Sequence, residues 1–132
     1  MANSLYTKGK EALLGALNLS SDTIKAQLID AADYTVNLST HDNLDDVPAG
    51  ARVGTAVALG SKTLTNGVFD AADVTFTAVT GDPSEAVILY KDSGVESTST
   101  LIAYFDTATG LPVTPTGVDI TVSWNASGIF SI

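Results

Sequence analysis

The chain of 132 residues has no cysteine and a single histidine, His41. Without cysteine it has no disulfide framework, no thiolate zinc site and no cysteine nucleophile. One histidine also excludes a metal site that takes several histidines from the same chain. Acid–base chemistry by carboxylates stays open after these exclusions.

Basic residues and long apolar runs are also scarce. The chain has six Lys and Arg residues and fifteen Asp and Glu residues, which gives a net charge of -9 at pH 7. Because DNA, RNA and anionic membranes are bound through Lys and Arg, we expect no nucleic-acid and no membrane partner. No apolar stretch approaches the roughly 20 residues that a transmembrane helix needs. The first residues do not resemble a secretory signal either.

Hydroxyl side chains are abundant: the chain has 17 Thr and 12 Ser, and 45% of its residues are hydrophobic. Thr, Ser and short acids suit strand faces and turns better than exposed helices. The mean hydropathy of +0.25 is that of a folded protein with a core rather than a disordered chain. Such a composition is typical of virion, fibre and adhesin-like proteins.

Short segments with strand-like patterns alternate with turn residues along the chain. They predict a mainly β fold, an antiparallel β-sandwich or barrel with a jelly roll as one possible arrangement, in a single domain over residues 1–132. The Asn66-Gly67 pair predicts a hairpin turn. The predicted strands are 23–30, 34–38, 52–59, 62–65, 68–69, 73–79, 86–90, 101–105, 118–124 and 129–132.

Two patterns predict where particular strands face. Segments 86–90 and 101–105 are apolar without alternation, so we expect both of their faces to be covered, at the centre of the fold or at an assembly contact. In the other strands alternation assigns one face to the core. The residues assigned to it are Ile24, Ala26, Leu28, Val74, Phe76, Ala78, Val118, Ile120, Val122 and Trp124.

The only predicted helix covers residues 4–17, and residues 1–20 form an N-terminal helix or arm. Ser4 is the expected N-cap. Gly9 and Gly15 each weaken the helix by about 1 kcal/mol relative to alanine. We therefore expect the helix to depend on docking, either to the sheet of its own chain or to a neighbouring subunit.

Few residues suggest chemistry. His41 beside Asp42 has the residue types of a catalytic dyad, but no nucleophile motif accompanies it. Asp42, Asp45 and Asp46 offer carboxylate oxygens to Ca²⁺, but their spacing differs from that of an EF-hand loop. Asp70 and Asp73 are a second candidate pair for such an ion, with fewer carboxylates. The simpler interpretation is that these side chains cap turns and are solvated. We predict no catalytic, cofactor-binding or metal site.

Carbohydrate chemistry needs a close carboxylate pair or an exposed aromatic cleft. The three glutamates, Glu11, Glu85 and Glu96, lie in no recognisable motif, and Trp124 falls on the apolar face of its strand. Three N-x-S sequons begin at Asn18, Asn37 and Asn125, and without a signal peptide they carry no function.

Most of the chain resembles small structural proteins of tailed bacteriophages. The resemblance is carried by SLYTKGKEALLGALNLSSDTIKAQLID, ADYTVNLSTHDNLDDVPAGARV, DAADVTFTAV, SEAVILYKD and LIAYFDTATGLPVTPTGVDITVSW. It implies a non-enzymatic virion protein assembled in the host bacterial cytoplasm, and it brings no catalytic residue with it. Head and tail locations both agree with it.

The leading hypothesis is therefore a capsid decoration or cement protein that binds and stabilises the major capsid lattice, with a trimer as the favoured homo-oligomer. Its partners would be the major capsid protein or other virion proteins. The alternative is a tail, neck or fibre-associated protein of the same virion. A further alternative is a carbohydrate-binding or hydrolytic β-domain.

Overall fold

A computed structural model describes residues 3–15 and 17–131 of the chain. In this part the fold is mainly β, with three antiparallel sheets and one N-terminal α-helix, as predicted. The helix α1 spans Thr7–Gly15. The strands are β1 Ser4–Leu5, β2 Ile24–Ile29, β3 Arg52–Ala58, β4 Thr63–Thr65, β5 Val68–Asp70, β6 Val74–Phe76, β7 Ala86–Lys91, β8 Leu101–Phe105, β9 Ile120–Val122 and β10 Phe130–Ser131.

The strands form one large and two small sheets. The large sheet has the order β1-β8-β7-β2-β3, and the small sheets have the orders β10-β5-β4 and β6-β9. Both small sheets send side chains into the core over one face of the large sheet, which gives a sandwich-like arrangement. The buried members of this first core are Leu19, Ile24, Ala26, Leu28, Val53, Leu59, Phe69, Val74, Phe76, Val79, Val87, Leu89, Ile102, Ala103, Phe105, Ile120, Val122 and Ile129.

A second core covers the opposite face of the large sheet. Here the irregular segment 34–51 lies over the sheet, with Tyr34, Leu44 and Val47 buried. Every residue of β8 is buried, as is every residue of β7 except Lys91. The expectation that these two apolar strands are covered on both faces and central in the fold is therefore confirmed.

The helix is shorter than predicted. It begins at Thr7 rather than Ser4, and Ser4 pairs with Tyr104 as part of β1 instead of capping the helix. An edge of the large sheet is available to this segment, and pairing with β8 satisfies its backbone groups better than a frayed helical turn. Of the two docking partners considered, the helix uses the sheet of its own chain, where Gly9 lies against β8.

Segment 34–38 is not a strand, contrary to the prediction. Its alternation arises because Tyr34 is buried and Val36 and Leu38 pack on the second core while the residues between them face solvent. The Thr7 backbone N–H donates to Leu38 O at 2.8 Å, so the segment is tied to the start of the helix instead of a sheet.

Two other predicted strands are shorter than expected. Ala78 has a φ of 48° and is exposed. The strand β6 therefore ends at Phe76, and Val79 rather than Ala78 is the next buried side chain. In segment 118–124 only Ile120–Val122 pairs with β6, and Val118 is exposed. The strand faces assigned to Ala78 and Val118 are therefore wrong, because alternation fails where the backbone leaves the ladder.

The predicted hairpin is confirmed. β4 and β5 pair in register around Asn66-Gly67, whose φ values of 54° and 77° are those of a tight turn with two left-handed residues. The last strand, Phe130–Ser131, pairs with β5, while Ile132 lies outside the described residues. None of the helices in the described ranges combines the length and apolar character needed to cross a membrane.

Candidate functional site

A groove of about 660 Å³ opens at one end of the sandwich. It lies where β1 of the large sheet and β10 of the three-stranded sheet meet the segment that follows β9, residues 123–125. Residues 107–109 of the loop after β8 close one side. Since residues far apart in sequence, from Asn3 to Ser131, form this groove, no local motif marks it.

The apolar part of the groove is aromatic. The Phe105 and Trp124 rings are 5.8 Å apart between centroids and inclined by 58°. Trp124 Nε1 donates to Ala72 O at 3.1 Å, and the Trp124 backbone N–H donates to an Asp73 carboxylate oxygen at 3.1 Å. These bonds fix the indole in place. Trp124 packs against the first core and remains half-buried, with part of its surface in the groove.

The polar part of the groove is made of amides and hydroxyls. The Asn3 side chain accepts from the backbone N–H groups of Asp106 and Thr107 and donates to Thr107 O, so it fixes the loop after β8. Thr109 and Ser123 form an isolated antiparallel bridge, in which Ser123 N donates to Thr109 O at 3.0 Å. Within the described ranges, the hydroxyls of Thr109 and Ser123 have no hydrogen-bond partner.

Charge is absent from this groove. None of the described residues that line it is Asp, Glu, Lys, Arg or His, although the chain as a whole carries a net charge of -9. Ion pairing with a ligand therefore has no group to use here. The groove presents a fixed aromatic surface beside neutral hydrogen-bonding groups, which is how proteins recognise small neutral ligands.

His41 is held in a buried hydroxyl chain. Tyr6 Oη and Tyr34 Oη are 2.7 Å apart, Tyr34 Oη and His41 Nδ1 are 2.8 Å apart, and the Tyr34 and His41 rings stack. The Asn37 backbone N–H also points at Nδ1, at 3.3 Å, so this nitrogen acts as an acceptor and Tyr34 donates to it.

The Tyr6 and Tyr34 hydroxyls stay protonated well above neutral pH. Burial raises the pKa of Tyr34 to about 12, and burial together with the Tyr34 hydrogen bond raises the pKa of Tyr6 further. A hydroxyl that ionises so reluctantly does not act as a nucleophile at neutral pH. His41 is thus half-buried and hydrogen-bonded rather than simply solvated.

Asp42, Asp45 and Asp46 do come together, with one carboxylate oxygen of each within 4.8 Å of the others. Asp46 Oδ2 accepts from the backbone N–H of Asp42 at 2.8 Å and of Asn43 at 3.4 Å. These bonds, the Asp42 bond first, lower the pKa of Asp46 below its usual value. Its carboxylate thus caps the 3-10 turn Leu44–Asp46, as expected for a turn-capping acid.

The sequence gives no sign of a second acidic group, because one member, Asp82, is distant in sequence from Asp30 and Asp33. Asp30, Asp33 and Asp82 also place one carboxylate oxygen each within 4.8 Å. Asp30 is buried, and its Oδ1 accepts from the Ala32 backbone N–H at 3.0 Å. The fold brings these acids together where β2 ends and the segment before β7 passes it.

The other candidate carboxylates serve the fold at separate places. Glu11 pairs with Lys8 at 2.9 Å, Glu96 pairs with Arg52 at 2.9 Å, and Glu85 accepts from the Ala31 backbone N–H at 2.9 Å. Asp70 Oδ1 accepts from the Ala71 N–H, and Asp73 Oδ1 accepts from the Trp124 N–H. Each of these acids is thus used in a local contact.

The three sequons share a structural role. In each, the Asn side-chain oxygen accepts from the backbone N–H of the Ser two residues later, at 3.0 Å for Asn18, 3.1 Å for Asn37 and 2.8 Å for Asn125. This is the Asx turn that Asn favours in loops. The recurrence of N-x-S in this sequence therefore has a conformational explanation.

No family model matches the chain, and no curated protein matches it.

Proposed function

We propose that this protein is a non-enzymatic structural component of a tailed-phage virion, a decoration protein that binds the outer face of the major capsid lattice as a homo-oligomer, with a trimer favoured. The observation that carries the proposal is an uncharged apolar patch on the surface, between α1 and the β4–β5 hairpin. The proposal further rests on the composition and the resemblance described above.

The patch is larger than isolated surface leucines would be. Leu14 is 84% exposed and Leu64 is 51% exposed, and between them lies a groove of about 520 Å³ lined also by Leu13, Leu17 and Phe130. No charged residue is among its described lining residues. Contiguous exposed apolar surface of this kind marks contacts with other proteins.

We assign this patch to the contact between copies of the chain. Copies with a net charge of -9 repel one another, so self-association requires a surface where charge is absent and apolar area can be buried. β4 adds a second reason, because it is an outer strand with all three of its residues exposed, and outer strands are commonly covered by a neighbour.

The way the polar residues are used agrees with a structural role. His41, Glu85, Glu96 and Asp46 are engaged in hydrogen bonds or ion pairs with turns and loops, and Glu11 pairs with Lys8 within α1. Because many copies of the protein would bind the same shell, each single contact can be weak while the binding of the whole oligomer is strong through avidity. The same arguments fit the alternative, a tail, neck or fibre-associated protein, which has fewer copies per particle.

Copy number separates the two locations. We would purify intact particles of the phage that encodes the chain and measure its amount relative to the major capsid protein by quantitative mass spectrometry. A ratio near one, or a simple fraction of the lattice, is the expected result. A ratio of a few per hundred would move the protein to the tail or neck, and absence from the particle would overturn the proposal.

A further inference from the structure

We propose that the uncharged groove at the end of the sandwich binds a neutral saccharide, with a sugar ring against the Trp124 indole and its hydroxyls on the Thr109–Ser123 side. This binding function goes beyond a role in the shell. It concerns the isolated protein, so its failure and the failure of the proposed assembly role are distinguishable.

The lining selects the chemical class of the ligand. A charged ligand entering the groove would lose water without gaining an ion pair, which is unfavourable. A purely apolar ligand would leave the hydroxyls of Thr109 and Ser123 unpaired beside it. A neutral polyol satisfies both conditions, because its hydroxyls can donate and accept while its C–H groups contact an aromatic ring.

Hydrogen bonds within the protein hold the walls of the groove in place. Hydrogen bonds hold Trp124 to Ala72 and Asp73, and the Asn3 side chain holds the loop after β8. The Thr109–Ser123 bridge places the two hydroxyl-bearing residues opposite each other on adjacent backbones. A ligand therefore binds without the entropy loss of ordering these elements. The volume of about 660 Å³ lies in the range of ligand pockets, about 300–1,000 Å³.

Trp124 is the only tryptophan, so its fluorescence reports on this groove alone. We would titrate the full chain with maltose, cellobiose, lactose and chitobiose, and with glucuronate as a charged comparison. The expected result is a saturable change in emission with at least one neutral disaccharide, with a Kd of about 1 mM, and none with glucuronate. No saturable change with any of the four up to about 100 mM, or tighter binding of glucuronate, would overturn the proposal.

Paired variants test the polar side of the groove. Replacing both Thr109→Ala and Ser123→Ala removes two hydrogen-bonding hydroxyls and should weaken binding about tenfold. The matched control replaces Thr116→Ala and Ser97→Ala, which are exposed and lie outside the groove lining, and should leave the Kd unchanged. Equal affinities in the two double variants, with unchanged thermal melts, would contradict the assignment.

Trp124→Phe tests the aromatic side. Because this variant loses the fluorescent reporter, binding is measured by titration calorimetry, and circular dichroism verifies the fold. We expect at least a threefold loss of affinity, since a smaller ring covers less of the sugar. Wild-type affinity in this variant would show that the indole does not contact the ligand.

Discussion

The buried hydroxyl chain shows how single side chains set the local structure. Tyr6 and Tyr34 come from segments 28 residues apart, and their hydroxyls meet within the second core. The Tyr34 hydroxyl links the other two side chains, because it accepts a hydrogen bond from the Tyr6 hydroxyl and donates one to His41 Nδ1. Tyr6 has no other partner for its hydroxyl among the described residues, so it depends on Tyr34.

This dependence predicts unequal effects of two matched substitutions. Tyr34→Phe leaves the buried Tyr6 hydroxyl unpaired and should lower the free energy of unfolding by about 1–3 kcal/mol. Tyr6→Phe removes a donor but leaves the Tyr34–His41 bond, so its cost should be smaller, about 0.5–1.5 kcal/mol. Urea denaturation measures both. A Tyr6→Phe variant less stable than Tyr34→Phe would contradict the assigned direction of the bonds.

Gly9 is a second residue whose size matters. A Cβ at this position would lie 2.7 Å from Leu101 O and 2.8 Å from Ile102 O, which are backbone atoms of the central strand β8. The absence of a side chain lets the helix lie directly on the strand. The sequence shows this glycine only as a weak point of a helix, because the contact is with a segment more than 90 residues away.

Gly9→Ala should therefore destabilise the protein although alanine favours helices. We expect a loss of about 1–3 kcal/mol from the forced shift of α1. Gly15→Ala is the matched control, because a Cβ there meets nothing within 4 Å. It should be neutral or stabilising by up to about 1 kcal/mol. Thermal or urea unfolding of both variants measures this, and equal effects would contradict close packing at Gly9.

Among the elements, strands paired along most of their length were the predictable ones. β2, β3, β7, β8 and the β4–β5 hairpin follow from alternation, apolar runs and Asn-Gly. Segments 34–38 and 118–119 are wrongly predicted as strand, because their polar and apolar residues alternate although their backbones do not pair with a neighbouring strand. Ser4 was mistaken because a strand partner 100 residues away competes with the helix. Such long-range choices leave no local signal.

The groove was harder to predict than the fold. Strand alternation assigns Trp124 to the core, and this is true of the part of the side chain that packs on the first core. Asn3, Thr109 and Ser123 drew no attention, since each is an ordinary polar residue in its own segment. Their meeting depends on the way β1, β10 and the segment after β9 converge, and strand order is not readable from one sequence.

The 3-10 turn Leu44–Asp46 gives the fold a dependence on acid pH. Backbone N–H groups, that of Asp42 first, hold the pKa of Asp46 below its ordinary value of 3.8. A carboxylate with a lowered pKa in the folded state contributes stability above the unfolded value. That stability is lost as the pH falls through the folded value.

Asp46→Asn tests this contribution. We expect the variant to be less stable than the wild type at pH 7, and the difference to shrink as the pH falls below 3.8. Asp45→Asn removes the same charge from an exposed neighbour and controls for net charge. Urea unfolding across pH measures both, and a constant difference for Asp46→Asn over the whole range would rule out the cap.

For the molecule as a whole, the large sheet is covered on both faces, so the stable centre lies in β7 and β8 and the surface elements are peripheral. The apolar patch around Leu14 and Leu64 belongs to this periphery. Leu14 and Leu64 themselves are mostly exposed, whereas their neighbours Leu13, Leu17 and Phe130 also pack against the first core. Changes at Leu14 and Leu64 should alter association and leave folding nearly unaffected.

Leu14→Ser with Leu64→Ser tests this separation. Light scattering on a size-exclusion column should show an oligomer, a trimer if our assignment holds, for the wild type and a smaller species for the variant. Its thermal melting at low protein concentration should change little. The control is Val95→Ser with Val118→Ser, which removes apolar side chains that are also exposed but lie elsewhere. A monomeric wild type, or equal dissociation of both variants, would refute the contact.

The two described ends of the chain, Asn3 and Ser131, line the same groove. A short peptide joining them would therefore cross only one end of the molecule, and new termini could be opened at Asn66-Gly67, a tight exposed turn at the patch. A cargo fused next to Asn3 or Ser131 would lie beside the groove. A cargo carried on the exposed loop 93–98 would leave both the groove and the patch open, which makes that loop the better place for display.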